Sequence, residues 1–252
     1  MSDVVIQVRN LRRALGGAQV LSDVSFEVRQ GEIFVIMGPS GTGKSVLLKH
    51  LIGLLRPDAG EIFLWDIPIH ERSNEELDEV RKRIGVVFQG AALFDSLAVG
   101  ENIAFPIRRH RDLEEPDVQE AVATRLALVG LEGKEDAMPA TLSGGMRKRV
   151  GIARAVGLNP EIVFYDEPTG GLDPPTARDV DSLIWRLRAY LGMTSVVVTH
   201  DLDSAFGIGD RIALMGRGRL IAVGTPEEIE ADKRPEIREF LHPRRIVRAE
   251  IQ

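Results

Sequence analysis

Gly38-Pro39-Ser40-Gly41-Thr42-Gly43-Lys44-Ser45 follows directly on the apolar run Ile33-Phe34-Val35-Ile36-Met37 and precedes a helical run from Val46 to Leu55. Every fixed position of a phosphate-binding P-loop is filled, in the strand–turn–helix setting that the motif requires. The glycines let backbone N–H groups curl round a β-phosphate, and the following helix adds the positive end of its dipole. Lys44 is expected to reach the β- and γ-phosphates and the Ser45 hydroxyl to ligate Mg²⁺, with the binding segment running from Gly38 through Val46.

A second constituent lies far along the chain. Ile162-Val163-Phe164-Tyr165 is an apolar strand that delivers Asp166 and Glu167 at its C-terminal end, where α/β sheets place their ligands. Asp166 is expected to hold the Mg²⁺ water shell and Glu167 to polarise an attacking water. An Asp-Glu pair after a strand is often only a helix cap; its pairing with a P-loop gives it chemical meaning.

Short β-branched runs alternate with helix-length segments, which predicts an α/β fold around a mostly parallel sheet. Ile84 to Phe88 and Thr194 to Thr199 read as further buried strands. From Ala177 to Leu191, Val180, Leu183, Ile184, Leu187 and Leu191 form one helical stripe. The first thirty residues differ. Val4 to Val8 and Val24 to Val28 flank Gly16-Gly17, predicting antiparallel strands at the sheet's edge. Between about Ala91 and Asn159 strand signals give way to helical ones, which suggests an inserted helical subdomain.

Composition narrows the class. Of 252 residues, 44% are hydrophobic and 28% charged, the balance of a soluble globular protein. A net charge of −6 argues against a nucleic-acid partner, and the absence of cysteine excludes disulfides and thiolate chemistry. The N-terminus has no basic and apolar regions of a signal peptide, and no apolar stretch approaches the ~20 residues that span a bilayer. Any work at a membrane is expected to be done as a soluble partner.

Leu142-Ser143-Gly144-Gly145-Met146, leading into the basic helical run Arg147-Lys148-Arg149-Val150, offers a second anion site: a hydroxyl and two bare glycines at a helix start. This segment resembles the signature motif of ABC ATPases. Gln89 resembles the Q-loop glutamine that senses Mg²⁺, Gly171-Leu172-Asp173 the D-loop, and His200 the switch histidine that touches the γ-phosphate. The resemblance covers roughly residues 4 to 241. It implies the ABC ATPase fold: an α/β core of residues 1–90 and 160–234 with a mostly parallel sheet and an N-terminal antiparallel β subdomain, an inserted helical subdomain over 91–159 and a tail over 235–252. It also implies an ATP- and Mg²⁺-dependent ATPase in which Lys44, Gln89, Glu167 and His200 are catalytic. Two copies would sandwich ATP, with Ser143, Gly144, Gly145 and Asp173 serving the partner's nucleotide. The family's adenine-stacking aromatic is absent: Leu15 stands at or near its position, with Arg13 as the other candidate.

Within the family, the segments Gln89 to Leu97, Met146 to Arg149 and Gly170 to Asp173 resemble the bacterial Mla/Mce-associated lipid-transport ATPases. That implies a homodimer peripheral to the cytoplasmic face of the inner membrane. It would drive an integral membrane permease docking near Ala91 to Phe94, with an Mce-domain protein and a small regulatory subunit as further partners. An importer of amino acids or other small polar solutes is the alternative. An ABC ATPase acting on DNA or ribosomes usually carries a coiled-coil insertion or two ATPase domains, and this chain has neither. A small-molecule kinase or GTPase would leave Ser143 to Gly145 and His200 unexplained. In the tail, Pro235 opens a short helical pattern with Ile237, Phe240 and Leu241 on one face, expected to dock on a partner unless it frays; the basic Arg244, Arg245 and Arg248 follow.

Overall fold

The computed structural model describes residues 3–241; the basic run at Arg244, Arg245 and Arg248 lies outside them. Strands β1 (Val4–Leu15) and β2 (Ala18–Arg29) form an antiparallel hairpin. Gly16 and Gly17, at φ 56° and 82°, close it, the positive-φ pair that a tight right-twisted hairpin needs. β3 (Ile33–Met37) is buried along its whole length and leads through the P-loop into α1 (Lys44–Leu51). That helix stops earlier than expected. Gly53 turns left-handed at φ 68° and Leu54 N–H donates back to the Lys49 carbonyl at 2.8 Å, a C-terminal lock that Gly permits at little cost.

β4 (Ala59–Leu64) pairs antiparallel with β1, and β5 (Ile67–Pro68) pairs with β4. The N-terminal strands therefore belong to a separate four-stranded sheet of order β2-β1-β4-β5, and are not an edge of the main sheet. After α2 (Asn74–Lys82), whose start is fixed by the reciprocal Ser73–Glu76 capping bonds, comes β6 (Ile84–Val87). The chain is then helical through α3 (Val99–His110), α4 (Glu115–Leu128) and α5 (Gly144–Ala155).

β7 (Ile162–Asp166) returns to the core, followed by α6 (Pro174–Leu191), β8 (Thr194–Thr199) and α7 (Leu202–Ile208). β9 (Arg211–Gly216) and β10 (Arg219–Gly224) add strands not anticipated from the sequence, and α8 (Pro226–Ala231) and α9 (Pro235–Leu241) close the described chain. Among the described residues the main sheet has six strands in the order β10-β9-β3-β8-β7-β6, all parallel except β10.

The alternation of side chains along β3 divides the interior. Ile33, Val35 and Met37 join the core beneath the helices, while Phe34 and Ile36 join the core shared with the antiparallel sheet. In α9, Ile237 and Leu241 are buried and Phe240 packs against the same helical core. The apolar face expected to dock on a partner is therefore already covered by its own chain.

Candidate active site

Four loops at the C-terminal ends of β3, β6, β7 and β8 converge on one cleft of about 330 Å³. The P-loop forms its floor. A Cβ on Gly38 would lie 2.2 Å from the Met215 carbonyl oxygen, so β9 runs too close for any other residue. Gly41 and Gly43 hold φ of 81° and 99°, the conformations that turn successive N–H groups inward. Thr42 Oγ1 donates to the Pro39 carbonyl at 2.9 Å and stiffens the turn. Ser40, Gly41, Gly43, Lys44, Ser45 and Val46 line the cleft.

Lys44 is buried, and its ammonium donates to the carbonyls of Gly38 at 2.7 Å and Pro39 at 3.0 Å. Burial lowers its pKa from the usual lysine value, opposed by the carboxylates of Glu167 and Asp166. Ser45 Oγ donates to Asp166 Oδ1 at 3.2 Å, joining residues from opposite halves of the sequence. A hydroxyl and a carboxylate oxygen meeting beside a phosphate loop suit Mg²⁺, which takes one or two protein oxygens and completes its shell with phosphate and water. Burial raises the Asp166 pKa, and the Ser45 hydrogen bond opposes that. Among the described residues there is no group of three or more His, Cys, Asp and Glu placed to hold a metal ion.

Glu167 and His200 meet on the facing wall, with His200 Nδ1 2.9 Å from Glu167 Oε2 and Thr199 Oγ1 at 3.5 Å from the same oxygen. Glu167 takes φ 49°, a left-handed conformation that costs a non-glycine residue about 1–3 kcal/mol and concentrates at functional sites. Gln89 completes the lining. So five of the expected phosphate-side groups, Lys44, Ser45, Asp166, Glu167 and His200, are brought into mutual contact or charge range, with Gln89 at their rim.

Neither residue expected near the base lines this cleft. Leu15 is exposed at the hairpin tip and does not line the cleft; Val20, on β2, does. Arg13 is committed elsewhere, to Asp58 at 2.6 Å and the Arg56 carbonyl at 3.2 Å. The hairpin twist that turns Val20 inward leaves no mark in the sequence.

The signature segment stands outside this cleft. Ser143 caps α5, its hydroxyl accepting from Met146 N–H at 3.2 Å. A Cβ on Gly145 would lie 2.5 Å from Thr176 Cγ2, and one on Gly144 3.3 Å from Leu172. The glycines thus allow α5 to seat on the start of α6, where Asp173 accepts from Thr176 N–H at 3.1 Å. Ser143 and Asp173 are exposed at these two adjoining helix starts, and neither lines the phosphate cleft of the same chain. A larger cavity, about 710 Å³, lies between α6 and α7, away from the P-loop; the phosphate-binding chemistry belongs to the smaller one.

Phosphate loop, paired carboxylates and histidine on a mostly parallel sheet define a P-loop nucleotide hydrolase. The family model described as "ABC transporter" matches residues 21–170, and the chain belongs to that family, as the ATP-hydrolysing subunit. It is 42% identical over 96% of its length, and 70% of the relative's, to the Mycobacterium leprae protein named "Probable ribonucleotide transport ATP-binding protein mkl". It is 40% identical, over 96% of this chain and 91% of the relative, to the Haemophilus influenzae "Intermembrane phospholipid transport system ATP-binding protein MlaF". Among solved structures, cbiO1 from Clostridium perfringens, part of the ABC transporter complex cbiONQ, superposes with TM-score 0.85 at 31% identity over 96% of both chains. The dimeric cassette MJ0796 bound to ADP and Pi gives TM-score 0.80 at 31% identity, covering 88% of this chain and 98% of that one.

Proposed function

We propose that two copies of this chain close on two Mg·ATP molecules and drive a membrane permease that moves phospholipid between membranes of the bacterial envelope. The observation that carries the dimer is the separation of the two half-sites. Lys44, Ser45, Glu167 and His200 line one cleft, with Asp166 bonded to Ser45, while Ser143 to Gly145 do not line it. A helix start with an exposed serine, set outside its own chain's cleft, is placed to serve the γ-phosphate of another copy. In the closed pair Lys44 and the loop N–H groups hold the β- and γ-phosphates, Ser45 and Asp166 hold Mg²⁺, and Glu167 orients the water that attacks. His200, bonded to Glu167, steadies that carboxylate from the phosphate side, and Gln89 watches the metal.

Glu167→Gln tests this directly. The amide cannot take the water's proton, so turnover is expected to fall by about 10²–10⁴-fold while ATP binding persists. The unhydrolysed nucleotides then hold the dimer together, visible by size-exclusion chromatography with Mg·ATP. A Glu167→Gln protein that hydrolyses at the normal rate would remove Glu167 from this role.

The permease contact follows from the wall beside Gln89. Phe88, Ala92, Phe94 and Phe105 line an open groove of about 370 Å³, and the Phe94 and Phe105 rings pack 5.1 Å apart. Ala91 does not take part: it is buried under Gly151. An exposed aromatic groove on the helical subdomain suits an inserted helix of a membrane partner. No helix among the described residues is long and apolar enough to cross a membrane, which fits a peripheral subunit on the cytoplasmic face of the inner membrane. An Mce-domain protein and a small regulatory subunit would complete the assembly.

Phospholipid is preferred as cargo because the chain spans about nine-tenths of the named phospholipid-transport relatives and carries the three segments that resemble that subgroup. The mycobacterial relative's name points instead to ribonucleotides. A strain lacking this protein is expected to show an altered envelope lipid distribution and detergent sensitivity with normal solute uptake; an intact lipid barrier with defective nucleoside or amino-acid uptake would favour the polar-solute reading.

A further inference from the structure

Lys148 belongs to the basic helical run that follows the signature glycines, and the fold buries it. It lies on the second turn of α5, four residues beyond the first signature glycine, and is buried. Its ammonium donates to the carbonyl of Gln89 and, at 3.0 Å, to the carbonyl of Glu167. Those residues sit at the ends of neighbouring parallel strands, β6 and β7. One cation from the helical subdomain therefore joins the two core loops that carry the metal-sensing amide and the water-orienting carboxylate.

A buried ammonium costs several kcal/mol unless its protons find acceptors, so both carbonyls hold it and are held by it. Bonds from a charged donor are roughly twice as strong as neutral ones. At Glu167 that strength acts on a strained residue. Its φ of 49° is maintained from both sides of the peptide: its N–H donates to the Val198 carbonyl at 2.8 Å, and its carbonyl accepts from Gly170 N–H at 3.1 Å and from Lys148. The backbone conformation sets where the carboxylate points, and a shift of about 1 Å at a reacting group costs on the order of 10²-fold in rate.

We infer that Lys148 is a positioning residue for ATP hydrolysis: it fixes the Glu167 backbone, and through it the carboxylate, and so ties the orientation of the signature helix to the chain's own catalytic centre. α5 is capped by Ser143, the group offered to the partner's nucleotide, and carries Lys148 on its second turn. Docking of the partner's ATP on Ser143 is thereby registered at Glu167 of the same chain, which links the two sites of the dimer. The inference rests on the reading of Glu167 proposed above.

The test is a double-mutant cycle in the full-length protein, with turnover and Mg·ATP affinity measured for every variant. Lys148→Met keeps the length and apolar stem but removes the charge and donors. It is expected to lower kcat by about 10–100-fold with ATP affinity unchanged. Lys148→Arg, which keeps a charged multi-donor head, should restore most of the rate. In a Glu167→Gln background Lys148→Met should cost nothing further, because it acts through the carboxylate already lost. Should Lys148→Met fail to fold, Lys148→Gln takes its place in the cycle. The inference is overturned by wild-type turnover in Lys148→Met, by an equal loss in both backgrounds, or by a fall in ATP affinity that accounts for the lost rate. Normal turnover in Glu167→Gln alone would sink the Glu167 reading instead, a separate result.

Discussion

The P-loop and the signature segment are both glycine-rich starts of helices, yet the fold uses them differently. At the P-loop the glycines are forced by position: Gly38 lies under the β9 backbone, Gly41 and Gly43 at left-handed φ, and the curled N–H groups face a furnished cleft. At the signature the glycines allow one helix to seat on another, with Thr176 and Leu172 against them, and the helix start does not line that cleft. In the dimer proposed above, the first would form the floor of a shared site and the second its cover. A glycine-rich turn before a helix is thus only half a statement about phosphate. The other half is what the tertiary structure sets opposite it.

The largest expected effect is at the P-loop. Gly38→Ala puts a methyl group 2.2 Å from the Met215 carbonyl oxygen, and the backbone must move. Nucleotide binding should be abolished, with about 1–3 kcal/mol of stability lost as for other overpacked sites; isothermal titration and thermal melts read both. Unaltered ATP binding would mean the loop has slack that its contacts deny.

Ser143→Asp tests the other side. Aspartate caps a helix as well as serine does, so α5 and the fold should be kept. The new charge would face the partner's γ-phosphate. Hydrolysis is expected to fall at least ~10²-fold, comparable to loss of a catalytic hydrogen-bond donor, while the monomer still binds ATP. Binding and hydrolysis lost together would place the signature in the chain's own cleft and collapse the comparison.

A smaller effect concerns the cavity between α6 and α7, where both elements bear on the two sites. Buried Asp181 bonds Ser204 at 2.5 Å, Ser204 meets Thr169 at 3.3 Å, and Thr169 lies just after Glu167. Burial raises the Asp181 pKa from 3.8 to about 6. Between those values the folded state keeps a proton that the unfolded chain has released, so stability falls as pH rises through the window and levels off above it. The total is on the order of 3 kcal/mol. Asp181→Asn should flatten that dependence in urea titrations from pH 4 to 7; an unchanged slope would assign it to other groups.

The smallest effect is at the base. Val20 is the side chain from the hairpin that lines the cleft, and an aliphatic surface distinguishes purines weakly. Hydrolysis of ATP and GTP should differ by about tenfold or less. A strong preference for ATP would require a polar contact to adenine that Val20 does not offer.

Much of the site was legible because its motifs are local. A P-loop is a strand, a turn and a helix start within a dozen residues, and backbone sterics alone dictate its glycines. Asp166 and Glu167 were placed by the same reasoning, at the end of an apolar run. α6 and its stripe were plain from periodicity, with Asp173 and Pro174 fixing its start a turn earlier than expected. β4 was missed because Ala59 to Leu64 alternates over too few residues to declare a strand, and it is stabilised by pairing with β1, some fifty residues away. The edge placement of β1 and β2 failed for the same reason: which sheet a strand joins depends on a partner that its own sequence does not name.

The sequence by itself determined which chemistry this chain carries, because P-loop, carboxylates, signature and histidine are each written in consecutive residues whose conformations follow from local sterics and hydrogen bonding. The tertiary structure alone decided how those pieces meet: that Ser45 reaches Asp166 across 121 positions, that His200 meets Glu167, that Val20 lines the cleft, and that Lys148 is buried while its neighbours in the basic run are not. The physical reason is range. Motifs are held by contacts between residues near in sequence, whereas a cleft and a buried charge are products of strand order and helix seating, which only the packed chain as a whole fixes.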